Sequence, residues 1–302
     1  MSELPPAFLN VRQLTEYLHL NEKKIYVMAA EGKIPATKLT GKWLFPKVLV
    51  DRWLLDSCHG GLLTDRLILA GSDDPLLQAV AIRLTQQLRA QALFSYTVSG
   101  TTMGLELLAQ GHADACVIHW GRAEESEVRH PALIQQYNPS KNWILVHLFC
   151  RSQGLIVRAQ DQSRFEDPDV AMNQSTRWVI RQQGAGSQRF LKEWLMSYSC
   201  PFERLTVSHT AYSEREMVSM IATGEADIGP GTLSAAKEFG LGFIPVCEES
   251  FDLVVPRGVY FRRLLQQLFE FLRGPEGMML ANRLQGYNLN RSGRLLWNAD
   301  GE

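Results

Sequence analysis

The sequence predicts an α/β protein that consists of a small N-terminal domain and a larger domain of alternating strands and helices. Three observations support this prediction. The chain has 302 residues, and domains typically span about 100–200 residues, so about two domains are expected. From Arg66 onward, short apolar runs that are typical of strands alternate with amphipathic runs that are typical of helices. Positive charge is concentrated near the N-terminus, which sets that region apart from the rest.

The composition is that of an ordinary globular protein. Hydrophobic residues make up 45% and charged residues 21% of the chain, which excludes collagen-like, disulfide-framework and wholly disordered proteins. The net charge is −1, so no global field attracts the whole protein to nucleic acid, and any basic surface must be local.

We expect a cytoplasmic protein that has no membrane partner. No run approaches ~18 consecutive apolar residues, and the N-terminus lacks the basic start and apolar run of a signal peptide. The five cysteines are scattered, and their number is odd. We interpret them as reduced and mostly buried.

The predicted boundary between the domains is a short linker. The stretch from Ser57 to Gly61 contains paired glycines between a helical and a strand-like pattern, which is typical of a linker. We therefore expect a first domain at residues 1–57, a linker at 58–65 and a second domain at 66–302. Residues 21–47 carry six lysines against two acids, so the basic surface is predicted in the first domain.

The first domain contains the pattern of a helix-turn-helix. Asn10 is expected to cap a helix over Val11–Leu18, and a second helix is expected from about Glu22 to Ala30, ending at Gly32. The predicted apolar faces consist of Val11, Leu14 and Leu18 in the first helix and of Ile25, Met28 and Ala29 in the second. Two short helices joined by a three-residue break, at His19–Asn21, indicate a helix-turn-helix, whose second helix enters the major groove of DNA.

A wing and a third helix are predicted next. The segment Ile34–Phe45 has the pattern of two short strands around a Thr40–Gly41 turn, with lysines on both sides. Pro46 is expected in the first turn of the helix that follows. The apolar residues predicted on that helix are Val48, Leu49, Trp53 and Leu54.

The run from Leu9 to Leu54 resembles the winged helix-turn-helix of excisionase-type or MerR-like proteins. The resemblance rests on Ile25–Tyr26, on Glu31–Pro35 and on Gly41–Phe45. It implies DNA binding, in which lysines neutralise phosphates. The candidate DNA contacts are Lys23, Lys24, Tyr26, Thr40 and Lys42. The alternative is that the lysines form the solvated face of a small protein-interaction domain.

The second domain is predicted to contain a mainly parallel sheet. The predicted strands are Leu67–Ala70, Phe94–Val98, Ala113–His119, Arg177–Ile180 and Ala226–Gly229. The predicted helices follow the first, second and fourth of these strands and extend to about Arg89, Ala109 and Tyr198.

Three loops of this domain share the same chemistry. Each lies after a predicted strand and before a predicted helix, and each carries hydroxyl groups. They contain Ser72 in the first loop, Ser99, Thr101 and Thr102 in the second, and Ser187 in the third. Helix starts offer unpaired N–H groups and partial positive charge, so such loops can surround a small anion at the carboxyl ends of strands. The alternative for each side chain is an ordinary N-cap.

The charged residues beside these loops argue both against and for an anion site. Asp73 and Asp74 would repel an anion if they pointed inward, although Asp74 before Pro75 is expected to be an N-cap that faces away. Arg181 and Arg189 flank the third loop and could supply positive charge.

The segment from about Leu67 to Arg294 resembles the periplasmic-binding-protein-like domain (type II) that is fused to helix-turn-helix regulators. Its relatives are often described as molybdate-binding. Matching residues are spread along the chain and include Gly71–Ser72, Ser99–Thr101, Met103–Leu105, Ile118–His119, Tyr137–Asn138, Arg151–Leu155, Arg181–Gln182, Gly184, Gly186, Gly224–Gly229, Phe243–Pro245, Glu249, Phe251–Leu253 and Gly286–Tyr287. The resemblance implies two lobes that close on a ligand by a hinge, with crossovers near Gln153–Leu155 and Asp252–Val254.

With the resemblance included, the candidate ligand-binding residues are Ser72, Ser99, Thr101, Thr102, His119, Arg181, Gly184, Ser187 and Ser213. The third loop departs from the pattern Asn-Arg-x-x-Gly-Ser-Gly-Thr-Arg at Ile180, Ala185, Ser187 and Gln188. A usual Thr-His pair is replaced by Ser213–Glu214. A lost hydroxyl and an added carboxylate would weaken the binding of a doubly charged oxyanion.

These observations predict a cytoplasmic, homodimeric transcription regulator. It would bind DNA through its first domain and sense a molybdate- or tungstate-like oxyanion or a small organic acid through its second. No metal-ligand spacing, nucleophile elbow, Walker loop or complete dinucleotide fingerprint occurs in the sequence, so we expect no enzyme, no cofactor and no metal. The alternative is a cytoplasmic small-molecule-binding protein whose first domain contacts protein instead of DNA.

Overall fold

The computed structural model describes residues 7–56, 66–89 and 91–299. The predicted linker at 58–65, including Cys58, lies outside the described residues. The chain divides into two compact units, Met1–Thr64 and Asp65–Glu302. No helix within the described ranges is both long enough and apolar enough to cross a lipid bilayer.

The first unit combines three helices with a three-stranded antiparallel sheet in the order β1-β3-β2. Its elements are β1 (Phe8–Leu9), α1 (Val11–Leu18), α2 (Glu22–Ala30), β2 (Thr37–Leu39), β3 (Lys42–Pro46) and α3 (Lys47–Asp56). Asn10 and Gln13 form a reciprocal capping box at the start of α1, with both hydrogen bonds 2.9 Å long. The core is centred on Leu14, Ile25 and Phe45. The predicted bounds of both helices are confirmed.

The third helix differs from the prediction at its start. Pro46 ends β3, and α3 begins at Lys47. Val48 and Leu49 are 75% and 49% exposed, whereas Val50 is fully buried. Val50 and the half-buried Trp53 are three residues apart, so they share the face that packs on the core. The four apolar residues predicted on this helix do lie on α3, although Val48 and Leu49 are exposed.

The second unit is built on a ten-stranded mixed sheet in the order β5-β4-β6-β11-β7-β10-β8-β9, with β12 and β13 also paired to β7. Its strands are β4 (Arg66–Gly71), β5 (Leu93–Val98), β6 (Ala115–Ile118), β7 (Trp143–Val157), β8 (Arg177–Arg181), β9 (Thr206–Ala211), β10 (Ile228–Thr232), β11 (Gly242–Pro256), β12 (Tyr287–Asn288) and β13 (Leu295–Asn298). Its helices are α4 (Pro75–Leu88), α5 (Thr101–Ala109), α6 (Ser126–Ile134), α7 (Gln162–Phe165), α8 (Pro168–Ala171), α9 (Gly186–Ser197), α10 (Glu214–Ala222), α11 (Leu233–Glu238), α12 (Arg257–Tyr260), α13 (Arg263–Arg273) and α14 (Pro275–Leu284).

The two long strands β7 and β11 connect two lobes. They pair antiparallel from Gly242↔Val157 to Pro256↔Trp143, which makes them common to both lobes. We define lobe 1 as residues 66–150 and 250–299, and lobe 2 as residues 151–249. Each lobe buries its own apolar clusters against helices. The two-lobed α/β architecture predicted from the resemblance is confirmed.

The pairing of the central strands differs from the prediction. Strands β4, β5 and β6 pair in parallel, as do β8, β9 and β10. Strand β7, however, is antiparallel to β10, β11, β12 and β13. The five predicted strands do pair with one another in parallel. The prediction of a mainly parallel sheet is wrong for the sheet as a whole, because β7 and β11, which pair antiparallel, were not among the predicted strands.

Candidate functional site

The predicted DNA contacts lie on two elements of the first unit. Helix α2 buries Ile25 and Ala29 and leaves Lys23, Lys24 and Tyr26 exposed. A solvent-exposed helix face with two lysines and an aromatic ring is suited to a phosphate backbone.

The other two predicted contacts, Thr40 and Lys42, lie at the tip of the β2–β3 hairpin. Thr40 and Gly41 have φ angles of +47° and +80°, as a two-residue hairpin turn requires. Lys42 is exposed at this tip. Lys47, in contrast, is held by Asp51 at 2.7 Å and lies over the ring of Tyr17. The predicted contacts Lys23, Lys24 and Lys42 are therefore exposed. Lys47, in contrast, is engaged in an ion pair and a cation–π contact.

Arg151 lies at the centre of the cleft between the lobes of the second unit. It is on β7 at the boundary of the lobes and is 2% exposed. Its Nε donates to Glu249 Oε1 at 2.6 Å, and its Nη1 donates to Asp74 Oδ2 at 2.8 Å. The same Nη1 donates to the carbonyl oxygen of Asp73. A buried guanidinium requires such counter-charges, because an unpaired buried charge is very costly.

Asp74 was predicted to be an N-cap that faces away from the site. It does cap α4, accepting the Leu77 N–H at 2.7 Å. Its other oxygen, however, faces inward and accepts from Arg151 and from the Tyr287 hydroxyl at 3.0 Å. The predicted orientation is therefore wrong, because the carboxylate serves the buried arginine as well as the helix.

Asp73 connects the lobes. Its Oδ2 accepts the backbone N–H of Glu214, at the start of α10 in lobe 2, at 2.6 Å. Arg181 Nη2 lies 3.9 Å from the same oxygen. Glu214 in turn accepts the N–H of Thr232 at 2.8 Å through its Oε1.

Three of the predicted hydroxyl groups are hydrogen-bonded within the protein. Ser72 Oγ and Thr101 Oγ1 are 2.7 Å apart, and Thr101 also donates to the carbonyl of His119. Thr102 contacts the carbonyl of Gly184 in lobe 2 through both its N–H and its hydroxyl, at 3.3 and 3.4 Å. These groups do surround the cleft, but they bond to each other and to the chain.

The remaining predicted contacts have local roles. Ser213 caps α10 by accepting the Glu216 N–H, and the Ser99 hydroxyl reaches only the carbonyl of Gly100. Ser187 is buried in the first turn of α9. Gln188, where the family pattern has arginine, accepts the Arg181 N–H at 3.1 Å.

Three deeply buried side chains of the cleft have polar atoms without a hydrogen-bond partner. These atoms are both ring nitrogens of His119, both amide atoms of Gln153 and Oε2 of Glu214. Gln153 follows Arg151 by two residues on β7, so its side chain points to the same face of the sheet. His119 stacks on Phe251 and lies 3.9 Å from Glu249. Buried polar groups are rarely left unpaired, so this cluster points to a binding function.

Arg151, Gln153 and Glu249 were not among the predicted ligand-binding residues, although all three lie in segments that carry the family resemblance. The available signal was a charged or amide side chain inside an otherwise apolar strand. Such a residue needs a buried partner, but the sequence does not say which.

Burial sets the protonation of the cleft. It raises the pKa of Glu214 to about 7, with Asp73 adding to the effect while Arg151 and Arg181 oppose it. Burial also raises the pKa of Glu249. The pKa of His119 is well below its usual value, through burial and then the nearby Arg151, so this imidazole is neutral.

Two cavities border the cleft. One of about 250 Å³ lies at its mouth, where Asp73 and Glu214 are among the lining residues. Another of about 370 Å³ lies beside β11 and is lined by residues of both lobes, among them Arg122, Trp194 and Glu249.

No group of three or more His, Cys, Asp or Glu side chains in residues 7–56, 66–89 and 91–299 is arranged to hold a metal ion. Cys116, Cys150, Cys200 and Cys247 are free thiols. Burial raises the pKa of Cys150 to about 11 and that of Cys247 to about 12, so neither is a thiolate at neutral pH.

Two family models match the chain. Residues 8–57 match a helix-turn-helix domain, and residues 83–273 match the PBP superfamily domain. The Bacillus subtilis protein YvgK, described as uncharacterised, is 23% identical over 198 residues, which span 65% of this chain and 63% of that protein. The match thus covers less than two thirds of the relative's length.

Solved structures share the fold of the second unit. A Clostridium perfringens protein described as a phosphate ABC transporter substrate-binding protein, with bound phosphate, has a TM-score of 0.53 and 13% identity. The alignment covers 74% of this chain and 100% of that one. A tungstate ABC transporter structure from Geobacter sulfurreducens has a TM-score of 0.52 and 11% identity, covering 72% and 98%. Likeness at these identities concerns the fold alone.

Proposed function

This chain belongs to the PBP superfamily and carries a helix-turn-helix domain at its N-terminus, and on that premise we propose that it is a transcription regulator whose DNA binding responds to a small ligand held between two lobes. The observation that carries the proposal is the union, in one chain, of an exposed basic helix and a two-lobed cleft lined by buried polar groups. The matched domains are of binding and regulatory kinds, and we infer a binding role instead of a catalytic one.

In the DNA-binding part of the proposal, α2 enters the major groove, with Tyr26 toward the bases. Lys23, Lys24 and the hairpin residues Thr40 and Lys42 contact the phosphate backbone. Because helix-turn-helix proteins usually read two half-sites about one helical turn apart, we propose that the chain acts as a homodimer. We also propose that it acts in the cytoplasm, where it would meet DNA.

In the sensing part of the proposal, the lobes move about β7 and β11. Contacts that join the lobes include Asp73 to the Glu214 N–H and Arg129 to Glu193 at 2.6 Å. A ligand shifts the balance between open and closed forms only through its different affinity for the two. The cleft, which contains the unpartnered groups of His119, Gln153 and Glu214, is where such a ligand would make its contacts.

The oxyanion that the resemblance implies has little support from the chemistry of the site. A doubly charged anion needs free cations or free N–H donors. Arg151 is bonded to two carboxylates, and Arg181 lies 3.9 Å from Asp73. Two fold neighbours are described with phosphate or tungstate, but their similarity concerns the fold and does not identify the ligand of this chain.

Electrophoretic mobility shift with the full chain tests the proposal. Genomic fragments that include the DNA upstream of its own gene should be retained at low salt and released as salt rises, because phosphate contacts displace counterions. An absence of retention on every fragment at low salt would favour the alternative, in which the first unit contacts protein.

A further inference from the structure

We propose that the cleft between the lobes selects a small molecule that carries a protonated amine or another cationic nitrogen, and that it rejects inorganic oxyanions. This inference rests on the proposed function, because it takes the cleft as the ligand site. It departs from the ligand class that the family resemblance implies.

The cleft contains more buried acidic side chains than basic ones. The buried charged side chains that meet there comprise four carboxylates and two guanidinium groups, namely Asp73, Asp74, Glu214, Glu249, Arg151 and Arg181. His119 is neutral and does not offset the excess of acids. A buried negative charge without a counter-charge is costly, and burial accordingly raises the pKa of Glu214, of Glu249 and of Asp74. A bound cation removes that cost, whereas a bound dianion adds to it.

Asp73 already takes the place of an anion at the start of α10. Backbone N–H groups at helix starts are the donors that bind oxyanions in open α/β folds. Here the Glu214 N–H at the start of α10 donates to Asp73 Oδ2 at 2.6 Å. In the second loop, the Thr102 N–H is directed to the carbonyl of Gly184. An entering oxyanion would have to displace a carboxylate that the chain itself supplies.

The unpartnered atoms of the cleft include two oxygen atoms that can accept hydrogen bonds. Glu214 Oε2 only accepts when Glu214 is ionised, which is the form that a bound cation favours, and the residue is 2% exposed. The Gln153 amide, with no exposed surface, offers one acceptor and one donor group. A cationic nitrogen donates to acceptors of this kind, while the Gln153 NH2 group and the neutral His119 remain for a polar group elsewhere on the ligand. The set thus favours a cation with a second polar function.

A series of four-carbon compounds provides the test. Putrescine, 4-aminobutanoate, 1,4-butanediol and succinate differ in their end groups, which are cationic, zwitterionic, neutral and anionic. Molybdate is added as the inorganic oxyanion. Each compound is titrated against the full chain at constant ionic strength, by thermal shift and by calorimetry, so that general screening does not mimic binding. We expect putrescine or 4-aminobutanoate to raise Tm, and succinate and molybdate to leave it unchanged.

Two variants link the response to the cleft. Glu214→Gln keeps the acceptor for the Thr232 N–H but removes the charge, and should weaken amine binding by about ten-fold or more. Gln153→Leu loses no hydrogen bond within the protein and should lower affinity without impairing folding. Glu270→Gln, an exposed acid on α13, is the control and should bind like the parent.

Four results would overturn the inference. They are a response to molybdate or succinate but not to the amines, an equal response to all compounds, no response to any of them, and amine binding that both cleft variants leave intact. None of these results bears on DNA retention by the full chain. Loss of that retention would signal the failure of the proposed function instead.

Discussion

The carboxylate of Asp73 lies 2.6 Å from the backbone nitrogen of Glu214. The first residue belongs to lobe 1 and the second begins α10 in lobe 2, so one charge-assisted hydrogen bond joins the lobes. It also places a negative group at the helix start, where the helix dipole favours it. A side chain of the protein itself therefore stabilises the closed cleft. A ligand then needs only to shift an existing equilibrium between the closed and open forms.

Removing this carboxylate should favour the open form. Asp73→Ala loses the bonds to the Glu214 N–H and to Gln78 Nε2, each at or below 2.7 Å. Bonds that involve a charged group contribute about 1.5–3 kcal/mol each. We expect a larger radius of gyration by small-angle scattering and faster amide exchange at Glu214. Asp169→Ala, at an exposed position in lobe 2, should change neither quantity, and an unchanged radius in the Asp73 variant would argue against its role in closure.

Glu214 should make stability depend on pH between about 4.5 and 7. Its pKa is raised from 4.5 to about 7 in the folded protein, mainly by burial and then by Asp73, against the opposing Arg151 and Arg181. The folded state therefore holds a proton that the unfolded state releases, so the free energy of unfolding falls as pH rises through this window.

The size of this effect is on the order of 3 kcal/mol at most. Urea unfolding at several pH values measures it, and Glu214→Gln should flatten the dependence relative to the parent. The groups that face Glu214 come from the loop after β4 (Asp73), from β7 (Arg151) and from β8 (Arg181). Because the variant changes Glu214 alone, it separates the contribution of Glu214 to the pH dependence of stability from the contributions of these neighbours. Equal slopes in the two proteins would show that Glu214 does not titrate in this range.

Gly186 should not tolerate a side chain. A Cβ at this position would overlap both the ring and the carbonyl oxygen of His119, which packs against the start of α9. Overpacking of this kind costs about 1–3 kcal/mol. Gly186→Ala should therefore lower Tm, and adding His119→Ala should restore only part of the loss because the backbone overlap remains. Gly258→Ala, which meets no atom within 4 Å, is the control and should cause no loss. A neutral Gly186→Ala would mean that the two lobes are further apart in solution.

The first unit was predictable because its signals are local. Asn10 and Gln13 form a capping box three residues apart, and Ile25 and Ala29 lie one helical turn apart. Each feature depends on residues close in the chain, so the sequence pattern was enough to predict both helices.

The cleft was only partly predictable because its bonds join distant parts of the chain. The loops with Ser72 and Thr101 follow from strand–loop–helix order, and the two hydroxyl groups do meet. The inward oxygen of Asp74, in contrast, depends on Arg151, which is 77 residues away. No periodicity reports such a partner. A buried arginine in an apolar strand indicates that counter-charges exist, without naming the carboxylates that supply them.

Removing the two lysines of α2 should change the salt dependence of DNA binding. Each lysine that neutralises a phosphate contributes about −0.9 to the slope of log K against log salt. Lys23→Ala with Lys24→Ala should thus make the slope less negative by about 1.8. Neither lysine is on the buried face of α2, so folding should be unaffected.

Lys237→Ala, at an exposed position on α11, is the matched control and should keep the parent slope. Fluorescence anisotropy across a salt series measures all three proteins. A parent slope in the double variant would place the DNA contacts elsewhere, because lost phosphate contacts must reduce counterion release.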